Sequence, residues 1–141
     1  MDSLALGKYF LPAMEQLATR VPQLQCAVMC TPDGFNVCSL GLNEERVGKM
    51  AALCSSLFSV GEAAATSVQS SATEAGGLQI MTIEAGGLQI GCTKIAHSSA
   101  SFILLAAARA PLGVVLVGLK ATAADLLGLV SSARLSPSGG R

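Results

Sequence analysis

The side chains of this 141-residue chain with the widest chemical range are one histidine, His97, and five cysteines, Cys26, Cys30, Cys38, Cys54 and Cys92. A lone imidazole has no second one with which to build a histidine-based metal cluster. The neighbouring serines, Ser98, Ser99 and Ser101, come without a nucleophile elbow or an evident oxyanion arrangement. His97 is therefore expected as a solvated loop residue. Cys26 and Cys30 fall on a segment of strand character, which puts them on one face but about 13 Å apart, too far for one metal ion. The odd cysteine count, the lack of a CxxC pair and the absence of an export signal after Met1-Asp2-Ser3 predict reduced, buried thiols in a cytoplasmic protein. The pairs Gly76-Gly77 and Gly86-Gly87 lack the Lys-Ser/Thr that completes a phosphate loop, and they read as turns. Glu62, within an apolar helical stretch, is expected on an exposed helix flank. No catalytic residue, metal site or cofactor is predicted; the chain reads as a binding or assembly module, not an enzyme.

Composition supports that reading. Apolar residues make up 51% of the chain and charged residues 13%, about half the usual charged share. A lone monomer so poor in charge is expected to expose apolar patches, which mark interfaces. Nine basic and nine acidic side chains cancel, and the basic ones are isolated along the chain. A phosphate-tracking surface needs a basic stripe, so nucleic acid is excluded as a partner. The apolar stretch Phe102 to Leu119 contains Arg109 and Pro111 and divides more naturally into a strand and a helix than into a membrane span.

The elements that must position these residues follow from periodicity. Leu4 to Thr19 has helical spacing, with Pro22 just past its end. Gln25 to Cys30 is apolar on both alternating sets and reads as a central strand. Thr31-Pro32-Asp33-Gly34 is a tight turn, and Phe35 to Leu40 returns beside it with polar interruptions. Asn43 can cap a long helix that carries Glu44 and Glu45 in its first turn and runs to about Ser70. Strands follow over Leu78 to Glu84, Leu88 to Ile95 and Phe102 to Ala108, the last apolar on both faces. Pro111 opens a final helix, although Gly113 to Val117 alone could equally be a strand. Residues 1–134 form one domain and 135–141 a flexible tail. The heptapeptide Glu74-Ala-Gly-Gly-Leu-Gln-Ile80 recurs as Glu84-Ala-Gly-Gly-Leu-Gln-Ile90, consistent with a Gly-Gly turn that twice launches a strand.

The succession helix, hairpin, long helix, three strands, helix resembles the roadblock/dynein light-chain family of bacterial type. Three stretches carry the likeness: Ala27-Val-Met-Cys-Thr-Pro-Asp-Gly34, Met50-Ala-Ala-Leu-Cys-Ser-Ser-Leu57 with Gly61-Glu62, and Pro111-Leu-Gly-Val-Val-Leu116. The resemblance implies an α/β sandwich, roadblock/profilin-like, with a mostly antiparallel five-stranded sheet ordered 2-1-5-4-3. The long helix would lie on one face and the terminal helices on the other. It further implies a homodimer formed by the third strand and the long helix, docking a small Ras-like GTPase or related signalling partner. Arg46 or Arg109 could in principle reach such a GTPase's active site, but reshaping its switch loops fits better. A structural scaffold subunit and a small-ligand sensor are the alternatives.

The residues give their own case for self-association. Leu78 to Glu84 would be an edge strand with no proline or lysine to blunt it. Gly61, Ala64 and Ala65 would let a second helix approach to about 8 Å; alternatively, they pack on their own sheet. The expected interface comprises Met50, Leu53, Cys54, Leu57, Val60, Gly61 and Ala64 on the helix, with Leu78, Ile80 and Thr82 on the strand.

Overall fold

A computed structural model describes residues 3–69 and 77–133. The chain runs α1 (Ser3–Arg20), β1 (Leu24–Cys30), β2 (Asn36–Leu40), α2 (Glu44–Val68), β3 (Ile80–Ala85), β4 (Leu88–Ala96), β5 (Ser101–Ala108) and α3 (Leu112–Ala133). The strands form one sheet in the order β2-β1-β5-β4-β3, and every pairing is antiparallel. The two strands read as apolar on both faces, β1 and β5, do lie in the interior.

Strand alternation sorts the side chains into two cores. Ala27 and Met29 of β1 and Leu104, Ala106 and Ala108 of β5 face α1 and α3, where they meet Phe10, Met14, Leu17, Leu119 and Leu126. Val28, Cys30, Ile103 and Leu105 point the other way, under Ala51, Cys54 and Phe58 of α2. Because helices cover both faces, these strands cannot alternate with polar residues. Arg20 binds α1 to α3 by donating to Thr122 Oγ1 at 2.9 Å and pairing with Asp125 at 2.9 Å. Gly118 lets the two helices come close; a Cβ on it would sit 2.5 Å from Val21 Cγ2.

Local signals account for the boundaries. The β1–β2 turn closes with Gly34 N–H donating to Thr31 O at 2.9 Å, and Gly34 adopts φ +92°, a conformation suited to glycine. Asn43 caps α2 by accepting from the Arg46 N–H at 2.9 Å. Asn43→Ala should therefore cost about 1 kcal/mol, read as a lower urea midpoint with an unchanged slope. Gly113 to Val117 is helical, with the Val114 and Val115 N–H groups bonded to Pro111 O at 3.0 and 3.1 Å. The questioned stretch Phe102 to Leu119 thus divides into β5 and the start of α3. By length and composition alone α2 and α3 could each cross a membrane, but α3 sets seven buried residues into the core.

Two expectations need correction. The third strand begins at Ile80, not Leu78, so Leu78 does not share a strand face with Ile80 and Thr82. Leu78 packs toward the α2 side, whereas Ile80 packs toward α1 and α3. The long helix ends at Val68, not near Ser70, and Gln69 turns extended with its N–H on Ala65 O at 3.1 Å; the start of the first heptapeptide at residues 74–76 and the tail at 135–141 lie outside the described residues. In the second copy Gly86 and Gly87, both with positive φ, turn the chain straight into β4.

Candidate self-association surface

Only Ala51, Cys54 and Phe58 of the 25 residues in α2 are fully buried. That stripe is narrow for a helix of this length, and it leaves apolar side chains outside. Leu53 is 45% exposed, Val60 67% and Val68 87%, with Ala64 also exposed. Beside this helix lies β3, which among the described residues pairs only with β4 and so ends the sheet with an open edge. Thr82 is exposed on that strand, and Met81 tucks back toward α2. The open edge and the free helix face therefore adjoin.

The expected interface residues divide into three groups, with Gly61 apart from them. Leu53, Val60, Ala64 and Thr82 are on the surface. Met50, Leu57, Leu78 and Ile80 are half-buried, and Met50 and Leu78 brace the α2-side core. Cys54 is fully buried against the sheet and does not belong to the free face. The small side of Gly61 serves the chain itself: a Cβ there would meet Met81 Sδ at 2.7 Å and a Leu78 methyl at 2.9 Å. Its glycine is thus explained by the approach of its own chain, leaving Ala64 as the small residue turned outward.

Cys54 belongs instead to a group that sequence spacing did not reveal. Its thiol packs beside those of Cys30 on β1 and Cys92 on β4, with all three residues essentially unexposed. The two neighbouring sulfurs and burial hold the Cys54 thiol far above its ordinary range. Cys30 and Cys26 share a strand face as expected, but Cys26 is only half-buried. Alternation along single elements placed each thiol on an inner face; nothing local told that the three faces meet. Among the described residues, no group of three or more His, Cys, Asp or Glu side chains has the geometry to hold a metal ion.

On the opposite core face, burial pushes Cys38 up to about 11, opposed by a Ser39 backbone hydrogen bond and helped by the Glu15 charge. The unfolded chain loses this proton near about pH 8.5, before the folded chain does. The contribution is therefore whole below that pH and is lost as pH rises toward about 11. Urea unfolding from pH 7 to 11 should show an alkaline loss that is shallower by about 2–3 kcal/mol in Cys38→Ala. Parallel curves for the two proteins would refute the assignment.

The other chemically capable residues perform local tasks. His97 is half-buried, not freely solvated: its Nδ1 accepts from the Ser99 N–H at 3.2 Å and lies 2.9 Å from Ser99 Oγ. Together with His97 N–H to Ala100 O at 3.0 Å, this closes the β4–β5 turn. Arg109 donates to Gly86 O at 3.0 Å and braces the β3–β4 turn. Arg46 is exposed in the first turn of α2. Glu62 is half-buried and pairs with Lys94 at 3.6 Å.

No protein-family model matches the sequence, and neither does any curated protein. The architecture does match solved structures. A Roadblock/LC7 domain from Streptomyces avermitilis superposes with a TM-score of 0.69 at 22% identity, over 84% of this chain and 95% of that one. MglB in a tetrameric arrangement gives 0.74 at 16% identity, over 92% and 93% of the two chains. The gliding protein MglB from Thermus thermophilus gives 0.73 at 14%, over 91% and 93%. The chain therefore has the Roadblock/LC7 fold, as the succession of its elements implied.

Proposed function

We propose that this chain is a roadblock-type adaptor without catalytic activity, acting as a cytoplasmic homodimer that docks a small Ras-like GTPase or a related signalling protein. The observation that carries the reading is the adjacency of the free apolar face of α2 to the open edge of β3. Two copies related by a twofold axis would satisfy both at once: the edges continue one sheet, and Leu53, Val60 and Ala64 bury against their counterparts. The GTPase partner comes from the family resemblance, and the likeness to MglB structures is in keeping with it. Influence on such a partner would act through surface complementarity, since of the arginines singled out, Arg46 sits in the first turn of a helix and Arg109 braces a turn.

Two measurements test the parts separately. Light scattering at micromolar concentration should return twice the chain mass of 14.2 kDa; a stable single subunit would overturn the dimer. A small GTPase captured with the tagged dimer should change its nucleotide hydrolysis or exchange rate when the purified chain is added back. A dimer that leaves every captured GTPase unchanged would favour the scaffold role.

A further inference from the structure

A cavity of about 160 Å3 opens between the flank of α2, the β1–β2 turn and the facing ends of β4 and β5. It is smaller than the roughly 300–1,000 Å3 of drug-sized ligand sites, which limits it to a ligand of a few heavy atoms. Phe58 and Ile103 line it with apolar surface, while Ser59, Glu62, Lys94 and Ser101 supply polar groups. One wall is held in place by Ser55, whose hydroxyl donates to the Pro32 carbonyl.

The polar groups have capacity to spare. Lys94 Nζ and Glu62 Oε2 are 3.6 Å apart, longer than the roughly 2.7–2.9 Å of a tight charge-assisted bond. The ammonium carries three donors and the carboxylate several acceptor positions, so among the described residues their one long contact leaves most of both unused. Their side chains are 30% and 41% exposed, so both are accessible from the cavity mouth. Ser59 and Ser101 add a hydroxyl each to the lining. A cation, an anion and two hydroxyls thus converge beside an apolar floor.

We infer that this cavity binds a small free α-amino acid with an apolar side chain. Its carboxylate would pair with Lys94, its ammonium with Glu62, and its side chain would rest on Phe58 and Ile103. A zwitterion matches the site because it answers both charges without leaving either unpaired in a half-buried setting. The inference does not depend on self-association or on a GTPase.

The test titrates L-valine into the 15N-labelled full chain. Saturable amide shifts at Ser55, Ser59, Glu62, Lys94 and Ser101 are expected below about 10 mM. N-acetyl-L-valine, which lacks the ammonium, and isobutylamine, which lacks the carboxylate, should each bind about tenfold more weakly or worse. Lys94→Met should produce the same loss while the spectrum away from the cavity stays unchanged; if that variant does not fold, Glu62→Gln supplies the equivalent readout. No saturable change, shifts scattered away from the cavity, or equal response to valine and both analogues would each overturn the inference.

Discussion

Ala64→Arg is expected to turn the dimer into a monomer without disturbing the subunit. In the single chain Ala64 is exposed, so a long charged side chain there extends into water and costs the fold almost nothing. Across the proposed twofold crossing the same position is closely opposed, and two guanidinium groups would be brought together without a counter-charge. Burying an uncompensated charge costs about 3–5 kcal/mol, so dimer affinity should fall by about 100-fold or more. Sedimentation equilibrium at micromolar concentration reads the loss directly, and thermal unfolding at high dilution should be nearly unchanged. An unaltered dimer mass would show that another face carries the association.

Phe10→Ala should have the largest effect on stability, about 3–5 kcal/mol. Phe10 is fully buried between α1 and the sheet, and its ring meets Phe102 edge-on at 5.8 Å and Tyr9 at 5.2 Å. Truncation removes both aromatic contacts and leaves a cavity that the surrounding helices cannot easily fill. Neighbouring Tyr9 is itself fixed by a hydrogen bond to Leu129 O at 3.0 Å, which ties α1 to the far end of α3. For a chain of this length the melting temperature should drop by about 10–20 °C. A fall of only one or two degrees would mean that α1 is not an integral part of this core.

These two residues differ in how visible their roles were beforehand. Phe10 falls on the apolar stripe of α1, and helical spacing alone marks it as core. Ala64 was one of three small residues on one helix, and spacing could not tell which of them faced a partner. The structure separates them: Gly61 is occupied by Met81 and Leu78 of its own chain, and Ala64 is left outside. Cys54 shows the same limit. Its periodic position put it on the broad apolar face of α2, but the face is wider than the buried stripe, and Cys54 lies within that stripe.

Sequence by itself determined the elements, the turn at Pro32-Asp33-Gly34, the cap at Asn43 and the interior place of β1 and β5. Each of these depends on groups within a few residues of one another, or on whether both sides of a strand are apolar. Tertiary structure alone decided that Cys30, Cys54 and Cys92 share one buried contact, that Glu62 meets Lys94, and that β3 starts two residues late with Leu78 turned inward. Those outcomes depend on how helices and strands cross in space. Periodicity along the chain records which side of an element is apolar, but not what stands opposite it.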